Sequence, residues 1–347
     1  MPKISVVIPT YNRSAYLDAT ITSALAQCGA DFEIIISDNH SEDDTQAVVN
    51  KYLADNRVHY FKNETNIGMV RNWRKAVYEY ATGDWFILLS DDDYLTDPSY
   101  LAKASRLIDD NPSVVMVYAE GYLLDETTGE QKPLILPFEG VVKGVDVFTS
   151  RNTVKPQDFT LCNVVFDRRL TIELNGFSNP NNLSCDSELF LKLALMGDVG
   201  VVKGAVSVYR FHPGNLIRTV NKSPDLLYGN LDYLLTPYVF AKDRLSFSDL
   251  ATFKKNTKIE IFLANSLLMI ACLSWKKFLK YYQEVAQRTP DLSAEATNST
   301  VFKIKLFICR FGGLGLPVIL KVREKIKWLL RLTHRWRRAK KEVHQVY

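Results

Sequence analysis

The chain has 347 residues, 47% apolar and 24% charged, an ordinary globular composition long enough for two domains, or one domain with a large extension. Its five cysteines (Cys28, Cys162, Cys185, Cys272, Cys309) are scattered and form no CxxC pair, which argues against a disulfide framework or a zinc site and fits a reducing compartment. The net charge of +4 hides an asymmetry: residues 301–347 hold 13 Lys/Arg and two acids, a net +11, and the remainder holds 30 basic and 37 acidic residues, a net −7. A basic tail on an acidic body points to an anionic partner for the tail.

The opening MPKISVVIPTYNR is not expected to act as a signal peptide, because its apolar run stops at Pro9. Residues 4–9 read as a short buried strand, and 14–27 carry apolar positions at helical spacing. A second buried strand follows at 32–37. A polar turn, DNHSEDDT, and a helix through Tyr52 come next. Val58–Phe61 reads as a third strand, 69–81 as a helix, and Trp85–Leu89 as a fourth strand running into three aspartates. Alternation of strand and helix predicts a mostly parallel, Rossmann-like sheet flanked by helices, with ligands at the carboxyl ends of its strands. From about 98 to 215 the pattern is mixed, and beyond 215 it is mainly helical. The apolar stretch 259–275 is slightly short for a membrane span and is expected to be a packed or interfacial helix.

Polar clusters fall at the expected strand ends. Ser90-Asp91-Asp92-Asp93 places three adjacent carboxylates whose repulsion a divalent cation would relieve. Oxygen ligands of this kind suit Mg²⁺ or Mn²⁺. As a plain surface turn, the cluster would merely cap the next helix. Pro9-Thr10-Tyr11-Asn12-Arg13 follows the first strand, with Thr10 and Tyr11 to line a nucleotide and Arg13 to meet a phosphate or an acid. Asp38 is placed to accept from a nucleobase N–H or a ribose hydroxyl, and Ser41, Asp43 and Thr45 read as helix caps. Asn66-Ile67-Gly68 precedes a helix carrying Arg71, a candidate phosphate clamp. Neither GxGxxG nor GxxxxGK[ST] is present, which removes the main support for a dehydrogenase or a P-loop enzyme.

In order and spacing, SVVIPTYNR, EIIISDNHSEDDT, NIGMVRN and LLSDDDYL resemble the inverting glycosyltransferase family 2, with its GT-A fold. A weaker likeness continues through GF (176–177), CDSELFLKL (185–193) and YRFH (209–212). Within the family, SDN and SDDD are most similar to bacterial O-antigen enzymes of the abequosyltransferase type. The resemblance implies a nucleotide-sugar donor, UDP- or dTDP-linked, and a Mn²⁺ or Mg²⁺ cofactor. It implies donor contacts at Pro9, Thr10, Tyr11, Arg13, Asp38, Asn66, Gly68, Arg71 and Asp91. Metal binding falls to Asp92 and Asp93, with the DxD register open between Asp91–Asp93 and Ser90–Asp92. The family's Glu-Asp pair reads Cys185-Asp186 here, so Asp186 is the implied general base; its plain reading is a helix N-terminal charge. Arg210 and His212 match a loop that closes over the diphosphate in relatives, within 204–222.

Three segments are expected: a GT-A domain at 1–215, a helical extension at 216–300, and a basic amphipathic tail at 301–347. From Pro317 the tail sets Val318, Ile319, Val322, Ile326 and Leu329 against Lys321, Arg323, Lys325 and Arg331, with Trp328 and Trp336 as interfacial anchors. This profile predicts peripheral attachment to the inner face of a bacterial plasma membrane and a glycan or polyprenyl-linked acceptor, without a nucleic-acid partner. A homo-oligomer remains open. Competing readings are a catalytically inactive nucleotide-binding scaffold, favoured by Ser90 and Cys185, and a nucleotidyltransferase, disfavoured because PTYNR lacks a glycine-rich loop.

Overall fold

The computed structural model describes residues 1–150, 160–215 and 223–311. The expected membrane-binding face beyond Pro317, and the 216–222 part of the closing loop, lie outside the described residues.

Met1–Ile259 form one compact unit and the chain from Glu260 a second. In the first, strands β1 (Ile4–Thr10), β2 (Phe32–Asp38), β3 (Val58–Lys62) and β4 (Trp85–Leu88) alternate with helices α1 (Ser14–Leu25), α2 (Thr45–Asn50) and α3 (Met69–Lys75). All seven residues of β1 and of β2 are buried, as expected of strands covered on both faces. The helix expected over 69–81 is α3 followed by a π-helical stretch, Ala76–Tyr80, two of whose carbonyls accept from the Arg168 guanidinium (Val77 O at 2.7 Å, Tyr78 O at 3.2 Å).

The chain continues through β5 (Tyr94–Leu95), α4 (Tyr100–Asp110), β6 (Val114–Asp125), β7 (Glu130–Leu134), β8 (Gly140–Val142), α5 (Gly144–Thr149), β9 (Val164–Asp167), α6 (Arg168–Glu173), α7 (Cys185–Ala194) and β10 (Asp198–Phe211). The sheet runs β3-β2-β1-β4-β9-β6-β10-β5, with β7 on β6 and β8 on β10. Its β3-β2-β1-β4 half is parallel, as expected. Beyond it the sheet is mixed: β10 runs parallel to β6, while β9 lies antiparallel between β4 and β6, and β5, β7 and β8 are antiparallel to their partners. Strand β9 begins VVF with all three residues buried, so its pattern gives no sign of its direction.

Helices α8 (Pro224–Gly229), α9 (Asp232–Lys242) and α10 (Phe247–Thr257) belong to this first unit: α9 packs on α7, and α10 on α5 with Phe148 and Phe253 stacked 4.2 Å apart. The first compact unit thus runs on to Ile259, past the boundary at 215/216 expected for the GT-A domain. The apolar faces of these helices complete the core around α7 instead of forming a separate extension.

The second unit contains α11 (Ile259–Leu273), α12 (Trp275–Arg288), α13 (Pro290–Thr297) and α14 (Thr300–Phe311). On α11, Leu263, Leu267 and Ile270 are fully buried, while Ile261 is 58% exposed, so this is a one-sided packed helix. Among the described residues no single helix is long and apolar enough to cross a membrane; α10 and α11 reach that length and composition only together. Cys272 Sγ of α11 lies 2.6 Å from Cys309 Sγ of α14.

Candidate functional site

Parallel registry sets the strand ends side by side. Thr10 stands opposite Asp38, and Val7 opposite Leu88, which carries the acidic turn Ser90–Asp93 next to the β1–α1 turn. Thr20 of α1 braces that turn: its hydroxyl is 2.9 Å from the Asp91 carbonyl and 2.7 Å from that of Asp93. The Tyr11 amide donates to Asp91 Oδ2 at 3.3 Å. Antiparallel pairing of Tyr94-Leu95 with Ser207-Val208 then brings the end of β10 over the same turn.

Two basic side chains converge on one carboxylate oxygen. Arg13 NH1 donates to Asp92 Oδ2 at 3.2 Å, and His212 Nε2 lies 2.9 Å from the same atom. The Gly214 amide donates to His212 Nδ1 at 3.1 Å, and His212 Nε2 lies 2.9 Å from both Asp92 Oδ2 and Arg13 NH1, an acceptor and a donor at one ring nitrogen. Arg13 NH2 also donates to the Gly214 carbonyl at 3.0 Å, which ties the turn after β10 to the turn after β1.

The three aspartates differ. Burial, and then the charge of Asp92, push the Asp91 carboxyl up to about 7. Asp93 is fully enclosed. Its Oδ1 accepts the Arg210 amide at 2.8 Å, and its Oδ2 has no hydrogen-bond partner among the described residues. Burial first, and then Asp92, push its carboxyl well above the usual range. The Thr10 side chain, also buried, opposes the rise at Asp91.

Around Tyr16 of α1 a second cluster forms. The Arg210 guanidinium lies 5.2 Å from the Tyr16 ring and 4.8 Å from the Tyr94 ring, and the His212 ring stacks on Tyr16 at 5.4 Å. The Tyr16 hydroxyl donates to Glu126 Oε2 at 2.8 Å, and Arg210 NH1 is 3.7 Å from Glu126 Oε1.

Asp186 occupies the first turn of α7 and is partly buried. Burial, and then the charges of Asp93, Asp92 and Asp186, raise the Tyr209 hydroxyl. Tyr209 is thus where the acidic turn and Asp186 come within electrostatic reach of one another. It lies inside the YRFH stretch, yet nothing in its sequence position separates it from an ordinary strand aromatic.

Asp38 departs from expectation. It is fully buried, its Oδ1 accepts the Ser41 amide at 2.7 Å, and its Oδ2 accepts the Tyr60 hydroxyl at 2.6 Å. The end of β2 and the neighbouring β3 occupy both oxygens, leaving no exposed surface for a nucleobase in this conformation. The N-cap of α2 is Asp44, which makes no side-chain cap hydrogen bond; Asp43 instead accepts from the amides of Ser14, 29 residues away (2.9 Å), and Thr45 (3.1 Å). Arg71 is exposed and without an ionic or hydrogen-bonding partner among the described residues. Asn66 and Gly68 sit on a network the sequence did not announce. Asn39 bonds to Asn66 (2.9 Å), Asn63 to Asn39 (3.3 Å) and Asn72 (2.8 Å), and Ser37 to Asn72 (2.9 Å). Gly68 adopts φ 86° just before α3, a conformation that favours glycine. Pro9 is buried in β1.

Residues 5–166 match the profile of Glycosyl transferase family 2. The match spans a little under half of the chain, so residues 5–166 are similar to a glycosyltransferase family 2 domain. A Campylobacter jejuni relative, GalNAc(5)-diNAcBac-PP-undecaprenol beta-1,3-glucosyltransferase, is 40% identical over 96 residues, or 27% of this chain and 31% of the relative. An uncharacterized glycosyltransferase from Haemophilus influenzae is 32% identical over 115 residues, 33% of this chain and 37% of the relative. The chain therefore spans about a third of the length of these curated relatives. Among solved structures, S. aureus TarS 1–349 in complex with UDP-GlcNAc aligns with a TM-score of 0.61 at 18% identity, covering 89% of this chain and 87% of that one. The mannosyltransferase PcManGT from Pyrobaculum calidifontis, in complex with GDP-Man and Mn²⁺, aligns with a TM-score of 0.51 at 15% identity, covering 89% and 84%. The chain thus has the GT-A type of mixed α/β sheet, followed by a helical C-terminal region.

Proposed function

We propose that this chain is a metal-dependent, inverting glycosyltransferase. It would move a hexosyl or deoxyhexosyl group from a UDP- or dTDP-sugar to a hydroxyl of a lipid-linked or cell-surface glycan, as in bacterial O-antigen assembly. The observation that carries the reading is the convergence of Arg13 and His212 on Asp92 at the strand ends, beside the buried Asp91. The family match over residues 5–166 supports it, as do the nucleotide-sugars bound in TarS and PcManGT. The name of the Campylobacter relative, which includes an undecaprenol-linked glycan, supports the acceptor class.

The residues present fit a divalent cation. Asp91 and Asp92 are adjacent, buried carboxylates, and the elevated Asp91 expresses a repulsion that such an ion relieves. Among the described residues no three His, Cys, Asp or Glu side chains form a metal cluster; Asp92, with Asp93 or Asp91, would hold the ion alongside phosphate oxygens. Asp93 faces the Arg210 amide and braces the turn. When bound, the ion supplies positive charge to the departing diphosphate.

The acceptor oxygen attacks the anomeric carbon as the bond to the diphosphate oxygen breaks, and Asp186 takes the hydroxyl proton. Arg13, Arg210 and Arg71 supply donors to the diphosphate, with the His212 ring beside them. Tyr11, 44% exposed, presents a ring to the nucleotide. Asp38 shapes the base pocket from behind by holding Ser41 and Tyr60.

The basic segment 301–347 attaches the protein to the anionic inner face of the plasma membrane. On α14, Val301, Ile304 and Phe307 are exposed apolar residues in a helix that carries Lys303, Lys305 and Arg310 and no acid.

The test is nucleotide release from a panel of UDP-, dTDP-, GDP- and CDP-sugars with Mn²⁺ or Mg²⁺, using wild type, Asp92→Asn and Asp186→Asn. Release from one donor, abolished by chelation and by Asp92→Asn, is the expected result. No release from any donor, together with no metal-dependent nucleotide binding, would overturn the reading in favour of a non-catalytic scaffold.

A further inference from the structure

The core-facing side of α1 is Leu17, Thr20, Ile21 and Ala24; Tyr16 is only partly buried and sits off that face. Its ring nevertheless meets three basic side chains from two distant parts of the chain. The Arg13 guanidinium is 6.0 Å from the ring centroid, that of Arg210 is 5.2 Å away, and the His212 ring stacks on it with an interplanar angle of 20°. Such groups repel one another once charged. An aromatic face offers each of them attraction without neutralising it. The hydroxyl end of the same side chain binds Glu126 in the turn after β6. Glu126 is also the acid nearest the Arg210 guanidinium, at 3.7 Å, a distance that leaves the guanidinium's donors available to an incoming anion.

We propose that Tyr16 is the positioning residue of the donor site: its ring holds Arg210 and His212 where the diphosphate binds, and its hydroxyl ties both to the β6–β7 turn through Glu126. This rests on the donor-site reading above. Tyr16 acts through Arg210 and His212 and touches neither reacting atom. Its loss is therefore expected to raise the KM for the donor and weaken nucleotide binding, with the KM for the acceptor unchanged.

The experiment is a double-mutant cycle on the full chain, titrated with UDP and with GDP in the presence of Mn²⁺, followed by donor kinetics. Tyr16→Leu is expected to weaken binding about five- to thirty-fold, the range of one or two cation–aromatic contacts. Tyr16→Phe, which keeps the ring, should weaken it by no more than about fivefold. Introduced into Arg210→Ala, Tyr16→Leu should add little, because the partner through which it acts is gone. Fully multiplicative effects, or a folded Tyr16→Leu that binds as wild type does, overturn the proposal. If Tyr16→Leu does not fold, Tyr16→Phe and Glu126→Gln take its place. Equal losses that do not accumulate in the double variant support the proposal, and independent losses overturn it. A wild type that binds neither nucleotide overturns the donor-site reading itself; a wild type that binds, with independent mutational effects, overturns only the role of Tyr16.

Discussion

His212 Nε2 lies 2.9 Å from Asp92 Oδ2, joining residues 120 positions apart in the sequence. The contact closes the site: Asp92 belongs to the turn after β4, His212 to the turn after β10, and Arg13 of the β1–α1 turn reaches the same oxygen. A carboxylate held by two basic groups is fixed in orientation while its other oxygen stays available.

Asp92→Asn is expected to cut nucleotide release by about 10²–10³-fold, the usual effect of losing one charge-stabilising group. The amide oxygen still accepts from Arg13, so the melting temperature should stay close to that of wild type. Calorimetric titration with Mn²⁺ and UDP, beside a thermal melt, checks both halves.

Asp186→Asn should lower kcat by about 10²–10⁴-fold, as expected for loss of a general base. Dissociation constants for UDP or GDP should be unchanged, because the base acts on the acceptor. Equal losses in nucleotide binding and turnover would instead place Asp186 in donor binding.

Glu33 makes acid stability predictable. Burial alone would raise its carboxyl; hydrogen bonds from Lys3, Ser5 and Thr82 overcome that and hold it at about 2, against an ordinary value of 4.5. A depressed folded-state value means that the stabilisation is fully present above the unfolded value and is lost as pH falls from about 4.5 towards 2. The difference corresponds to about 3 kcal/mol. Urea unfolding across this window should show that loss in wild type and a flattened acid limb in Glu33→Gln.

Cys272 and Cys309 should form a disulfide when a small-molecule disulfide is added. Their sulfurs are 2.6 Å apart, and the Cys272 S–H donates to Cys309, which lowers the Cys309 thiol and favours its thiolate as the attacking group. The pair gives up two protons and two electrons, and the reagent leaves as two thiols. Intact mass should fall by about 2 Da, and Cys309→Ser should abolish the change. Closing this loop should stabilise the second unit by about 4 kcal/mol on the chain-entropy estimate.

Much of the first 95 residues was readable because their information is local. Runs such as ISVVIP, FEIIIS and WFIL mark buried strands, and the polar turns that follow must lie at strand ends once the strands are parallel. The acidic turn, the PTYNR turn and YRFH stand out in the sequence, and the structure brings Arg13, Asp91, Asp92, Asp93, Arg210 and His212 together at the strand ends.

Sequence by itself determined the order of elements, their apolar faces and the residue types offered at each strand end, because periodicity and turn chemistry act over a few residues. Tertiary structure alone decided which partners those residues meet. It gave both Asp38 oxygens to Ser41 and Tyr60, enclosed Asp93 behind Arg210, and seated Tyr16 among Arg13, Arg210 and His212. It also turned β9 against β4 and drew α9 and α10 into the first unit. The physical reason is that a buried polar group is satisfied, or left unsatisfied, by whatever the folded chain carries to it from a distance, and no local pattern records that arrival.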